Sequence, residues 1–206
     1  MIRVFTLFLY LNCINLLSAQ DTTKQYYSNG NLKSSGIISK GVKTGLWTFY
    51  YPDGEKNATE NYQNGNLHGE ALYYHFNGSL IGREFWQNGL LNDSANYYND
   101  NGILHKKGNY SHGQYSGKWI FFHDNGMLER EVIYVSGELQ GKWLVYDSNG
   151  TKIQDGQYFE GKEEGLWKFY NEDGQLEYSG SYSKGNRIGD WYRYSKRGKK
   201  IKINPD

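Results

Sequence analysis

GKWLVYDSNGTKIQDGQYFEGKEE, residues 141–164, is followed directly by GLWKFYNEDGQLEYSGSYSKGNRI, residues 165–188, and the two align without a gap. The same 24-residue spacing runs outward from this pair. Full units begin at Gly45, Gly69, Asp93 and Gly117, a weaker one at Asp21, and a three-quarter unit, GDWYRYSKRGKKIKINPD, closes the chain from Gly189. Self-similarity at a fixed period of this length marks a repeat architecture, in which one supersecondary unit buries its apolar face only against its neighbours. Residues 21–206 are therefore expected to form one linear array, with units starting near 21, 45, 69, 93, 117, 141, 165 and 189.

Two glycines punctuate each unit. The tenth place holds Gly30, Gly54, Gly78, Gly102, Gly126, Gly150, Gly174 and Gly198, behind Asn or Asp in all but the last, and the twenty-first place holds a second series from Gly41 to Gly185. A polar residue and glycine between aromatic-rich runs is the strongest short-range hairpin signal, because both central residues of a type I′ turn need positive φ. Each unit then contains two strands and two tight turns, with Asn149-Gly150 and Asp173-Gly174 reading as primed turns. The fold class is all-β, an elongated single-layer antiparallel meander of hairpin repeats. A β-solenoid coiling once per repeat is the competing architecture.

With two-residue turns, the third and fifth residues of a unit face its sixteenth and fourteenth. One face then carries Trp47, Trp119, Trp143, Trp167 and Trp191, the fifth-place aromatics such as Phe49, Tyr73 and Tyr97, the leucines Leu80, Leu104, Leu128 and Leu176, and a row from Tyr62 and Trp86 to Tyr182. The other face is polar except for a stripe that includes Tyr50, Tyr74, Tyr98, Tyr146 and Tyr170. Slippage by one residue would exchange the two sets, so the register is well specified. Glycine in a strand marks close approach of another group, and Trp143 and Trp167 are expected to lie over Gly156 and Gly180. Where the sixteenth place is Glu60, Glu84 or Val132, that fit must change, and in two units Ala71 or Ala95 replaces the tryptophan. These two middle units are expected to be irregular.

Composition supports a sheet held by aromatic pairs and lacking a thick aliphatic core. The chain has 20 Tyr, 26 Gly and only 2 Pro, and its mean hydropathy of −0.81 is too polar for a two-layer globule of this length. Residues 1–20, MIRVFTLFLYLNCINLLSAQ, differ: one basic residue, Arg3, precedes an apolar run that ends at the small residues Ser18 and Ala19. That is the layout of a secretory signal peptide, and it implies export to the periplasm, cell surface or extracellular space. Cys13 lies inside it, so the mature chain would have no thiol. Loss of Arg3 would leave equal numbers of basic and acidic residues, and nothing in that balance recruits nucleic acid. The basic run Lys196, Arg197, Lys199, Lys200 and Lys202 falls on the last strand, where charge blunts an uncovered sheet edge.

The pattern G-x-W-x-x-Y-x-x-[DN]-G followed by a strand ending Y-x-x-G, as in GKWLVYDSNGTKIQDGQYFEG from Gly141, resembles the MORN repeat variant of bacterial antitoxin-like proteins of the YwqK type. The resemblance covers nearly all of the mature chain. It implies an elongated sheet of hairpins with a binding or scaffolding role, and it carries no catalytic, cofactor or metal residue to any position.

Enzyme chemistry is poorly served by the residues themselves. His68, His75, His105, His112 and His123 fall at four different places of the repeat without metal-ligand spacing. Glu163, Glu164, Glu172 and Asp173 flank turns and form no opposed dyad. No enzyme activity and no cofactor is expected. The leading class is a structural or protein-binding array, in which the five tryptophans and the five stripe tyrosines named above are the candidate binding or structural aromatics. A carbohydrate- or choline-binding module is the alternative, since aromatic cages hold quaternary ammonium by cation–π attraction. The expected partner is a protein, with a polysaccharide or membrane surface as the other occupant and nucleic acid excluded.

Overall fold

A computed structural model describes residues 21–203; residues 1–20, read above as a signal peptide, and with them Cys13, lie outside them. The chain runs through sixteen strands: β1 Thr22–Tyr26, β2 Leu32–Ser39, β3 Val42–Tyr50, β4 Lys56–Gln63, β5 Asn66–Tyr74, β6 Leu80–Gln87, β7 Leu90–Tyr98 and β8 Leu104–Ser111, then β9 Gln114–Phe122, β10 Leu128–Val135, β11 Glu138–Tyr146, β12 Lys152–Phe159, β13 Lys162–Tyr170, β14 Leu176–Ser183, β15 Asn186–Tyr194 and β16 Lys200–Ile203. Each pairs antiparallel with the next, in sequence order, in one open sheet. This is the meander read from the repeats, and no coil forms.

The first turn of a unit is not of the type expected of it. After Tyr51, the Gly54 amide donates to the Tyr51 carbonyl (3.0 Å) and the Tyr51 amide to the Glu55 carbonyl (2.8 Å). Those bonds close a three-residue loop in which Gly54 alone has positive φ, a type I turn with a glycine bulge. Asn149-Gly150 and Asp173-Gly174 follow the same pattern. The primed turns are the others: Asn64-Gly65 and Ser136-Gly137 have both residues at positive φ, and Gln63 faces Asn66 directly across the first of them. Both turn types end in glycine, so the dipeptide alone did not separate them.

The bulge moves the twelfth place. Leu80, Leu104, Leu128 and Leu176 pair with Tyr74, Tyr98, Phe122 and Tyr170 of the stripe. Lys56 and Lys152, at the same place, hold their ammonium groups over the rings of Tyr74 and Tyr170. The leucines therefore lie on the stripe side, not among the tryptophans.

A second irregularity sits at the first place of each unit. Glu60 pairs with Ala71 but Tyr62 with Leu67, so β5 spends two extra residues there, around Gly69 at φ 92°. An insertion of two preserves side-chain parity, which is why the two faces come out as read. It also shifts the partner: the fourteenth and sixteenth residues face the fifth and third of the following unit, as Ala58 faces Tyr73 and Glu60 faces Ala71. Asp93 occupies the same bulge at φ 75° without being glycine, a conformation that costs an ordinary L-residue roughly 1–2 kcal/mol. Its carboxylate accepts from the Ser94 amide at 2.7 Å, which offsets part of that. Asp93→Gly is expected to raise stability by about 0.5–1 kcal/mol in a denaturant titration; a destabilised variant would mean that the carboxylate contact outweighs the backbone cost.

At the C-terminal edge, two lysines of the basic run are engaged within the chain. Lys202 pairs with Asp190 at 2.6 Å and Lys200 stands 3.5 Å from the centre of the Tyr192 ring.

Candidate functional site: an interrupted tryptophan row

The shifted register decides what each tryptophan covers. A Cβ added to Gly36, Gly108, Gly156 or Gly180 would stand 2.2, 2.2, 2.3 and 2.1 Å from ring atoms of Trp47, Trp119, Trp167 and Trp191. Each indole is thus pressed onto the glycine of the preceding strand, and Trp167 covers Gly156 where Gly180 was expected. These four are buried, with at most 3% exposure. The Trp47 and Trp119 indole N–H groups donate to the carbonyls of Ile37 and Asn109, one residue beyond the glycine they cover. They are structural side chains. Trp143 differs because Val132 stands where the glycine would be; it is half-buried and donates to Gln154 Oε1 at 2.9 Å.

Aromatic contacts follow the same row. Tyr158 stands edge-on to Trp143 and Trp167, and Tyr182 edge-on to Trp167 and Trp191, with centroids 5.1–5.8 Å apart. Such geometry adds roughly 0.5–1.5 kcal/mol per pair beyond area burial. A second cluster joins Ala95, Trp119, Phe121 and Val132 to Tyr110, Tyr115 and Tyr134.

Between Tyr62 and Tyr110 the row breaks, in the middle units where irregularity was expected. The sixteenth place holds Glu60 and Glu84, and the third place that would cover it holds Ala71 and Ala95, each almost fully buried. Both carboxylates are half-buried on the aromatic face. Glu60 accepts from the Tyr62 hydroxyl at 2.5 Å. Glu84 accepts from Trp86 Nε1 at 3.1 Å and from the Tyr97 hydroxyl at 2.7 Å, and Tyr97 is in turn 3.3 Å from the Tyr110 hydroxyl. Among the described residues no Lys, Arg or His nitrogen lies within ion-pair distance of either carboxylate. Among the described residues none of Tyr73, Trp86 and Tyr97 stacks on another ring, although Tyr97 packs against the Trp119 cluster.

Cations do meet rings on this face. Lys43 Nζ lies 4.5–4.7 Å from the ring centres of Trp47, Phe49 and Tyr62, and Lys106 Nζ 4.6 Å from that of Tyr97. Burial pulls the Lys43 ammonium below its ordinary range, and nearby Glu60 opposes the shift. The phenols move the other way. Burial, helped by the adjacent carboxylates, raises Tyr62, Tyr73 and Tyr97, burial raises Tyr110 and Tyr134, and Tyr158 is pushed up to about 12.

These shifts predict an alkaline transition. In the unfolded chain a phenol ionises near pH 10, so a tyrosine whose folded value is raised contributes stability that is intact below pH 10 and lost as pH climbs toward that value. The melting temperature should be level up to about pH 10 and fall steeply from there to about 12, the value for Tyr158. A level profile through that window would contradict the burial of these rings.

The stripe tyrosines Tyr50, Tyr74, Tyr98, Tyr146 and Tyr170 are half-buried on the opposite face. They line the edge bearing the first turns, where Tyr27, Tyr51 and His123 bond the carbonyls of Tyr50, Tyr74 and Tyr146 and tie each repeat to the next. The histidines do not converge: His75 pairs with exposed Asp100, and among the described residues no group of His, Cys, Asp or Glu could hold a metal ion. The ten aromatics singled out from sequence thus lie in a tryptophan row on one face and an edge stripe on the other. Glu60 and Glu84, with Tyr73, Trp86 and Tyr97, form the polar break that they left unassigned.

No curated protein matches the chain. Among solved structures, the crystal structure of TcdB2-TccC3 is similar over 84% of this chain and 13% of that one, at 13% identity and a TM-score of 0.20. The crystal structure of TcdB2-TccC3-TEV is similar over 87% and 10%, at 14% identity and a TM-score of 0.22. The chain spans only those small shares of the larger chains, and likeness at that level bears on neither mechanism nor partner. The MORN repeat variant matches five times, at residues 22–37, 43–64, 67–88, 115–136 and 163–184, together just over half of the chain. With the hairpin period, the paired glycines and the tryptophan row in agreement, the chain belongs to the MORN repeat variant family, whose repeats are generally protein- or membrane-binding modules.

Proposed function

We infer that this is an exported, non-catalytic repeat protein that holds a protein partner against the aromatic face of its sheet. The observation that carries the reading is the break in the tryptophan row: Glu84, Tyr73, Trp86 and Tyr97 present polar tips where the neighbouring units present packed indole. A cluster of amphipathic rings around a few polar groups is the composition of an interface core. Export rests on the layout of residues 1–20 and is checked by sequencing the N-terminus of the secreted chain, which should begin near Asp21. An antitoxin-like role fits less well, since an exported chain would not meet a cytoplasmic toxin.

The test contrasts the two faces. Mature protein carrying Tyr73→Ala with Trp86→Ala should lose capture of its partner from the exporting cells by about tenfold or more, the effect of losing one aromatic anchor. Reversing the exposed Lys118–Glu131 pair on the polar face should leave capture unchanged. Loss through the polar face alone would overturn the assignment.

A further inference from the structure

The repeat supplies its own comparison. Lys43 occupies the twenty-third place of its unit and seats its ammonium among Trp47, Phe49 and Tyr62, 3.4 Å from the Tyr62 hydroxyl that donates to Glu60. One repeat later, 24 residues along, the same places hold Leu67, Ala71, Tyr73, Trp86 and Glu84. The carboxylate and two of the three rings are retained, and Trp86 bonds Glu84 as Tyr62 bonds Glu60. The ammonium is replaced by leucine and the indole by alanine. On the far side Lys106 is seated over Tyr97. A chain lysine thus fills the seat one repeat back and another covers the outer ring of the cage, Tyr97, while the place equivalent to Lys43 holds Leu67.

We propose that the Glu84 cage, bounded by Tyr73, Trp86 and Tyr97, seats a lysine side chain of the protein partner. The inference rests on the protein-binding reading above and names the chemistry of its contact. Register places Ala71 and Ala95 on either side of Glu84, so the carboxylate is flanked by methyl groups where other units set an indole, and the four-carbon stem of a lysine would approach along the rings. Ring faces attract a cation most strongly where water is partly excluded, and a half-buried carboxylate makes a charge-assisted bond to the same ammonium. A compact ammonium fits because Lys43 fits, whereas the broad planar fork of arginine asks for two parallel acceptors.

The probe is acetyl-Gly-Gly-Lys-Gly-Gly-amide, titrated into mature protein while the indole N–H signals are followed by nitrogen-15 NMR. The Trp86 signal should shift saturably while those of Trp143, Trp167 and Trp191 stay in place, and the peptide with norleucine for lysine should shift none. Glu84→Gln should weaken binding about fivefold to tenfold. Leu67→Lys should fill the seat with the chain's own ammonium and abolish binding, with an unchanged circular dichroism spectrum showing that the fold survives. A static Trp86 signal, equal shifts with the norleucine peptide, or wild-type binding by Leu67→Lys would each overturn the proposal. Its failure is separable from that of the broader reading. If Leu67→Lys still captures the partner while Tyr73→Ala with Trp86→Ala does not, the face is right and the lysine seat wrong; if Trp86 titrates but the protein captures no partner, the reverse holds.

Discussion

Gly108→Val is expected to destabilise the sheet by about 3–5 kcal/mol, as much as deleting a core aromatic. The added Cβ alone would stand 2.2 Å from Trp119 Cδ2. The indole must therefore leave a site in which it is fully buried, bonded to the Asn109 carbonyl at 2.8 Å and packed against Tyr110 and Tyr115. Removing the ring should relieve the clash. The double variant Gly108→Val with Trp119→Ala is expected to cost about what Trp119→Ala costs alone, a strong departure from additivity between contacting residues. Urea titrations of the three variants read this directly; additive losses would mean that glycine and indole do not form one unit.

The second large effect separates two tryptophans that look alike in sequence. Trp119→Ala should cost about 3–5 kcal/mol, the range for a fully buried aromatic. Trp143→Ala should cost about half as much, because Val132 keeps the Trp143 ring half-exposed and its N–H bonds a side chain where Trp119 bonds the backbone. Equal losses in thermal melts would show that Val132 supports its tryptophan as well as glycine does.

The fold was legible because period and parity are robust to the irregularities the chain contains. A two-residue bulge at Gly69 leaves every side chain on its expected face, so the tryptophan and tyrosine sets separate as read. The same bulge moves the register with the preceding strand by two residues, so that the preceding unit's sixteenth place also faces each tryptophan, and the glycine beneath the indole is that one and not the partner within its own hairpin. Turn type was illegible for a different reason: polar-glycine pairs suit both a type I′ turn and a type I turn with a glycine bulge, and only loop length tells them apart. The candidate site left a trace in composition along one column. Where the preceding sixteenth place is Gly36, Gly108, Gly156 or Gly180 the next third place is tryptophan, and where it is Glu60 or Glu84 the next is alanine. The equivalence between Lys43 and Leu67 needed the ring contacts of Lys43 to be seen.

If the middle of the array gives up tryptophan-on-glycine packing in exchange for a binding surface, the stability of the sheet should not be uniform. In repeat arrays, where each unit leans only on its neighbours, local opening follows the quality of those interfaces. Residue-resolved hydrogen exchange of the free mature protein measures this. Amides of β5, β6 and β7, which carry Ala71, Glu84 and Ala95, should open at lower free energy than those of β13, β14 and β15, which carry Trp167, Gly180 and Trp191. Equal protection along the whole sheet, or the greatest protection in the middle strands, would contradict that exchange.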